Sequence, residues 1–340
     1  MSSPERSLEQ KSAGGRNGFP KEVEAEALAI VQHTANEYEQ KNPENTAWVR
    51  GVIRRIDFRE FQLMYGELAQ KAGVKNINVV QPRDIYIRDT EGDDGGDADY
   101  DPMSNAMTMD GDLIAKARGP APFEEPKFRN EIFAVSLILH QIAHEYTHAT
   151  GYIGYGKIDL DDGRNIDAVR MGLSQALFRT EDPGNDYYVM FDLFNEGVTE
   201  HIAMMMSREY LRRSPLSMPN GDTLESAQFE EFLALQNDEK DDYGAAVEFF
   251  GKISAYLAKE CEVPQDLVEK AFIRAYYRGE ELPVVLLDET VGKEFSKMLM
   301  RAKDSEDFND LVESYILPRA SNSLIDQWKR FFGFLGRRIK

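Results

Sequence analysis

The sequence predicts an α+β fold that is mostly helical, and three observations carry that expectation. Apolar residues recur at helical spacing near the amino terminus and again from about Asp222 onward. Between residues 75 and 110 the period shortens to that of strands. A nearly all-apolar stretch, EIFAVSLILHQIAHEYTHAT, is long enough for one buried helix over Glu131–Thr150. The chain has 340 residues, of which 42% are apolar and 29% charged, so it can bury a substantial core and is not disordered throughout.

Residues 1–20 mix Ser, Gly, Arg and Glu without periodicity and read as a disordered tail. Residues 21–74 form a helical flank. Val23, Ala27, Leu28, Ile30, Val31 and Ala35 mark one helix from Lys21 to Asn42, and Thr46 to Ala72 is largely helical too. Residues 75–215 make the central unit. It begins with short strands around Ile77, Val79 and Val80 and around Ile85, Tyr86 and Ile87, punctuated by Pro82.

Residues 89–101, DTEGDDGGDADYD, read as a solvated acidic loop. A calcium loop of the EF-hand type needs Gly sixth and Glu twelfth, where this stretch has Asp94 and Tyr100. Asn105, Ala106, Met107, Thr108, Met109 and Asp110 then alternate like a half-buried strand at a sheet edge. A second long helix is expected over Tyr187–Arg212. Residues 216–340 read as a helical subdomain with helices over Thr223–Asn237, Tyr243–Glu260, Pro264–Arg278, Thr290–Ala302 and Glu306–Tyr315.

Sixty acidic against forty basic residues give a net charge of −20, which repels nucleic acid and anionic membrane surfaces. One cysteine, Cys261, rules out an intrachain disulfide and a Cys-rich zinc site. Residues 1–19 lack the apolar core of a signal peptide, and no apolar run approaches the roughly 18 residues of a membrane span, so the expected compartment is the cytoplasm. The basic, aromatic stretch Trp328–Lys340 suits contact with an anionic membrane or docking on the acidic body, and docking is the simpler expectation.

Three of the five histidines, His140, His144 and His148, fall within nine residues of the long apolar helix. At 100° per residue His144 and His148 lie one turn apart on one face with Glu145 beside them. They spell H-E-x-x-H, a pattern that shuffling this composition produces in only about one sequence in a hundred. Two imidazoles at i and i+4 reach one Zn²⁺, and the intervening glutamate is placed to act as general base on a metal-bound water. His140, a turn earlier, is expected behind the ligands or in packing.

A catalytic zinc takes a third protein ligand. The H-E-x-x-H-x-x-G-x-x-H pattern fails because residue 154 is Gly, although Gly151 fits. On the Tyr187–Arg212 helix, Asp192, Glu196 and Glu200 form a carboxylate stripe opposite Phe194, Val198, Ile202 and Met205. Glu196 is the leading candidate, with Asp192, Glu200 and His201 as alternatives. Met204, Met205 and Met206 suit core filling better than zinc ligation.

His144-Glu145-x-x-His148 followed by Asn195-Glu196-x-x-x-Glu200 resembles the gluzincin group of zinc metallopeptidases. The resemblance spans about residues 75–212, together with the helical carboxy-terminal half. It implies His144, His148 and Glu196 as ligands of one zinc ion per chain and Glu145 as base. Glu200 would accept a hydrogen bond from a ligand imidazole, with Asn195 beside it. It also implies that Asn105, Ala106 and Met107, after Tyr100-Asp101-Pro102, lie on an edge strand that receives a peptide or protein substrate. No downstream His, Tyr or Arg matches the group's oxyanion-stabilising residue unambiguously.

The expected activity is zinc-dependent peptide hydrolysis. The alternatives are a metal-binding regulatory protein without turnover and a metal-dependent hydrolase of a non-peptide bond.

Overall fold

The structure, a computed structural model, describes residues 16–17, 19–89, 98–119, 130–159, 165–179, 188–190, 192–238, 242–280, 286 and 322–336. Helices predominate, with small sheets between them, as an α+β fold requires.

The chain opens with β1 (Arg16–Asn17), then α1 (Lys21–Lys41), α2 (Pro43–Ile53) and α3 (Phe58–Lys71). The tail expectation is therefore corrected at its end. Arg16 and Asn17 pair in parallel with Ile153 and Gly154, and Phe19 packs on Tyr155 with ring centroids 5.4 Å apart, so backbone bonds and a ring contact offset the ordering cost. The break between α2 and α3 falls where Asp57 caps α3, its carboxylate accepting from the Arg59 and Glu60 amides at 3.0 and 3.2 Å.

These helices belong to the same core as the H-E-x-x-H segment. Phe61 on α3 lies 5.8 Å from Tyr146 and 4.6 Å from Tyr210, and the Tyr65 hydroxyl donates to the Ala143 carbonyl at 2.7 Å.

A three-stranded sheet follows, made of β2 (Ile85–Arg88), β3 (Ala98–Asp101) and β4 (Ala106–Asp110), in the order β2-β4-β3. Three expectations change here. Residues 77–80 form no strand: Val80 is buried without a ladder partner, and a tight turn over Pro82–Asp84 leads into β2. The end of the acidic stretch, Ala98–Asp101, is a strand because Ala98 and Tyr100 bury one face. Most of the rest of that stretch, residues 90–97, lies outside the described residues. Asn105–Met107 is not an edge. β4 is central, parallel to β2 and antiparallel to β3, and Ala106 through Met109 are all buried.

After α4 (Gly111–Arg118), α5 (Asn130–Thr150) runs through the centre of the molecule, with every residue from Ala134 to Thr150 buried. Between α5 and the second site helix lies a meander that the sequence reading did not anticipate. It comprises β5 (Ile153–Asp159), β6 (Asn165–Met171), β7 (Ser174–Arg179) and β8 (Tyr188–Met190), antiparallel in sequence order. The signal was present at Gly172-Leu173. Met171 pairs with Ser174 across this two-residue turn, and Gly172 takes φ +58°, a conformation that suits glycine at the head of a hairpin turn.

α6 (Asp192–Arg213) starts five residues later than expected, since Tyr188–Met190 is strand. It crosses the later helix that holds Ala246 closely: a Cβ on Gly197 would collide with the Ala246 carbonyl. The small hairpin β9 (Leu216–Ser217) and β10 (Thr223–Leu224) precedes α7 (Ser226–Asp238), α8 (Asp242–Cys261) and α9 (Gln265–Arg278). The expected helices over 290–302 and 306–315 lie outside the described residues.

The last helix, α10 (Asn322–Gly336), docks its aromatic side inward. Trp328, Phe331 and Phe332 are buried, with Trp328 5.9 Å from Phe272. That orientation leaves these rings unavailable to a membrane surface. Among the described residues no helix is long and apolar enough to cross a membrane.

Because Phe61 joins α3 to both α5 and α6, Phe61→Ala is expected to lower the unfolding free energy by about 3–5 kcal/mol in a urea titration. A loss under about 1 kcal/mol would show that this packing is not made.

Candidate metal centre

α5 and α6 pack against each other in the core, and between them they carry His140, His144, Glu145, His148, Glu196 and Glu200. An apolar helix buried all round has no solvent for His140, His144, Glu145 and His148, so these must find partners within the protein. Their main partners come from the carboxylate stripe of α6.

His144 Nε2 lies 3.1 Å from Glu196 Oε2, His148 Nε2 lies 3.2 Å from the same oxygen, and the two Nε2 atoms are 3.2 Å apart. Glu200, one turn further along α6, reaches His144 Nδ1 at 2.8 Å with one oxygen and His140 Nε2 at 2.9 Å with the other. A neutral His144 that donates from Nδ1 to Glu200 presents a bare lone pair at Nε2. The atoms of the triangle then face one point as acceptors.

That triangle fits a metal ion. Zinc binds imidazole nitrogen and carboxylate oxygen at about 2.0–2.2 Å, and tetrahedral angles then separate such donors by about 3.3–3.4 Å, close to the distances seen. His144, His148 and Glu196 are the group of His and acidic side chains among the described residues whose ligand atoms converge in this way.

Electrostatics follow from burial and these contacts. Burial opposes ionisation of Glu196 and Glu200, but the imidazoles outweigh it, and both carboxyls lie well below the usual range. Burial likewise lowers His144 and His148, yet the facing carboxylates raise both above the ordinary histidine value. Glu145 differs. Burial pushes its carboxyl up to about 7, with His144 and His148 pulling the other way. It is 3% exposed and stands on α5 next to the ligand-forming His144.

Asn195 is fully buried. Its Oδ1 accepts from the Leu173 amide at 2.9 Å, tying the start of α6 to the β6–β7 turn, and its amide nitrogen lies 3.5 Å from Glu196 Oε1.

Compared with known protein families, curated proteins and solved structures, the chain matches none. The chemistry therefore rests on the residues themselves.

Several expected site residues fall elsewhere. The Asn105 side chain accepts from Asn78 Nδ2 at 2.6 Å and from the Tyr100 hydroxyl at 2.8 Å, in a turn with φ +55°, so it braces the loop before β4. Ala106 and Met107 sit inside the sheet, where both backbone edges are already paired. His201 lies against Phe250, 5.3 Å between centroids, and is not part of the cluster. The Asp192 side chain is outside the described residues. Of the three methionines, Met206 is buried, whereas Met205 is 37% exposed and fills no core.

One site neighbour was hidden from the sequence reading. Asp99, on the β3 edge beside α5, keeps accessible surface yet is crowded enough that desolvation raises its carboxyl, with Asp101 adding to the rise. His148 lowers its carboxyl and Glu196 adds to the rise, and β3 packs against α5, which makes that strand a neighbour of the site. Its signal was masked by the surrounding run of Asp and Gly.

The arrangement predicts that the purified chain takes up one zinc ion per molecule by elemental analysis after dialysis, and that Glu196→Ala loses most of it. Undiminished uptake in the variant would place the metal elsewhere.

Proposed function

We propose that the chain is a zinc-dependent metallopeptidase of the gluzincin type, acting in the cytoplasm on peptide or protein substrates. The observation that carries this reading is the convergence of His144 Nε2, His148 Nε2 and Glu196 Oε2 at 3.1–3.2 Å, with Glu145 next to His144 on the same helix. When bound, zinc would lower the pKa of its water toward about 7 and polarise a carbonyl oxygen.

The chain's own groups do the rest. Glu145 takes the proton of the attacking water on a carboxylate oxygen and returns it to the departing amine. Glu200 holds His144 through Nδ1, which fixes the tautomer whose Nε2 turns a lone pair toward Glu196 and His148. Asn195 locks the amino-terminal end of α6, and so the carboxylate of Glu196, to the β6–β7 turn. β3, at the border of its sheet and beside α5, is the strand along which an extended substrate is proposed to lie, in place of β4.

A metal-binding protein without turnover has no need for a buried carboxylate beside the ligands whose pKa burial raises to about 7, so Glu145 favours the enzyme. Glu145→Gln is expected to keep its zinc and to lower cleavage of an unfolded protein substrate by about 10²- to 10⁴-fold. Wild-type rates in that variant would remove the mechanism. Asn195→Ala is expected to cost about 1–3 kcal/mol in stability, because the buried Leu173 amide is left without its acceptor; denaturant unfolding reads this directly.

A further inference from the structure

The geometry points to His140 as a positioning residue for the metal centre, acting through Glu200 on His144; this rests on the reading that the His144–His148–Glu196 triangle holds zinc. Glu200 has two carboxylate oxygens, and each faces one imidazole. Oε2 accepts from His144 Nδ1 at 2.8 Å and Oε1 accepts from His140 Nε2 at 2.9 Å. The side chains of His140, Glu200 and His144 are 9%, 6% and 6% exposed, so water does not compete for these bonds.

A carboxylate held by one bond can still swing about its own side-chain torsions. Held on both oxygens by imidazoles one turn apart on α5, Glu200 is fixed in the plane that His144 needs, and the α5–α6 register is pinned beside the ligands.

Two further observations show that the support is concentrated on this route. His148 Nδ1 has no hydrogen-bond partner among the described residues, so Glu200 orients one ligand imidazole and not the other. The His140 ring sits against Phe232 and Phe229 of α7, at 5.9 and 6.5 Å, and its Nδ1 also lacks a partner among the described residues. A residue kept there for packing alone would be better apolar, since an unpartnered buried nitrogen is costly. What the imidazole supplies that an apolar side chain would not is the Nε2 proton given to Glu200.

The test uses the full chain, with zinc alone as the probe, titrated against a chromophoric chelator. His140→Leu removes the donor, and His140→Gln keeps an N–H group at about the reach of Nε2. Cobalt substituted for zinc reports the ligand field by its visible absorption. The Leu variant is expected to bind zinc 10- to 100-fold more weakly with an altered cobalt spectrum, and the Gln variant to stay within about threefold of wild type with the wild-type spectrum.

If the Leu variant does not fold, His140→Asn takes its place. Its amide stops short of Glu200, so weakened binding supports the inference and wild-type affinity overturns it. Equal affinity in the Leu variant and wild type, or a Gln variant as weak as Leu, overturns the role of His140 while leaving the zinc reading intact. A wild-type chain that binds no zinc overturns both.

Discussion

Three acceptor atoms meeting inside the protein are the constraint on which the rest of the structure depends. With His144 donating from Nδ1 to Glu200, its Nε2 lone pair faces the Glu196 carboxylate and the second imidazole, all within 3.1–3.2 Å. Protons or a cation must fill that point, because like-signed lone pairs brought together without water repel. The carboxylates of α6, Glu200 buried and Glu196 partly so, provide the negative charge that a divalent ion would need, and His140, His144 and His148 lie on the stretch of α5 in which every residue from Ala134 to Thr150 is buried.

Holding that point steady takes most of the fold. α5 is enclosed on one side by the aromatic contacts of α3, where Phe61, Tyr65 and Tyr146 pack together and the Tyr65 hydroxyl bonds to Ala143. α6 is enclosed on its other side by α8, which approaches closely at Gly197, and by Phe249, Phe250 and Phe272 around Phe194. The meander between the two helices adds a third tie through Asn195 and the Leu173 amide. The amino-terminal helices thus brace the centre from behind, and their Tyr and Phe side chains are as much part of its architecture as the ligating residues.

Much of this could be read from the chain because helical geometry is local. The 100° step places His144 over His148, and Glu196 over Glu200, whatever surrounds them, so each stripe followed from spacing alone, whereas their facing each other was an expectation of the family resemblance and is a matter of tertiary packing. Sheet placement depends on pairing between distant segments, and there the reading failed. Asn105–Asp110 alternates like an edge strand, but β2 and β3 flank it on both sides, and burial of both faces overrode the pattern. The meander went unseen because its clearest mark was a single Gly-Leu turn. His140 showed only as a third histidine on the stripe; that it shares Glu200 with His144 is a matter of which α6 oxygen faces which ring, and no spacing rule contains that.

The most direct measurement of the central claim is X-ray absorption at the zinc edge of the metal-loaded protein. The account predicts a four-coordinate nitrogen and oxygen shell at about 2.0–2.1 Å, with the outer-shell scattering of two imidazoles and none from sulfur. A shell without imidazole scattering, or one made of six oxygens, would contradict it.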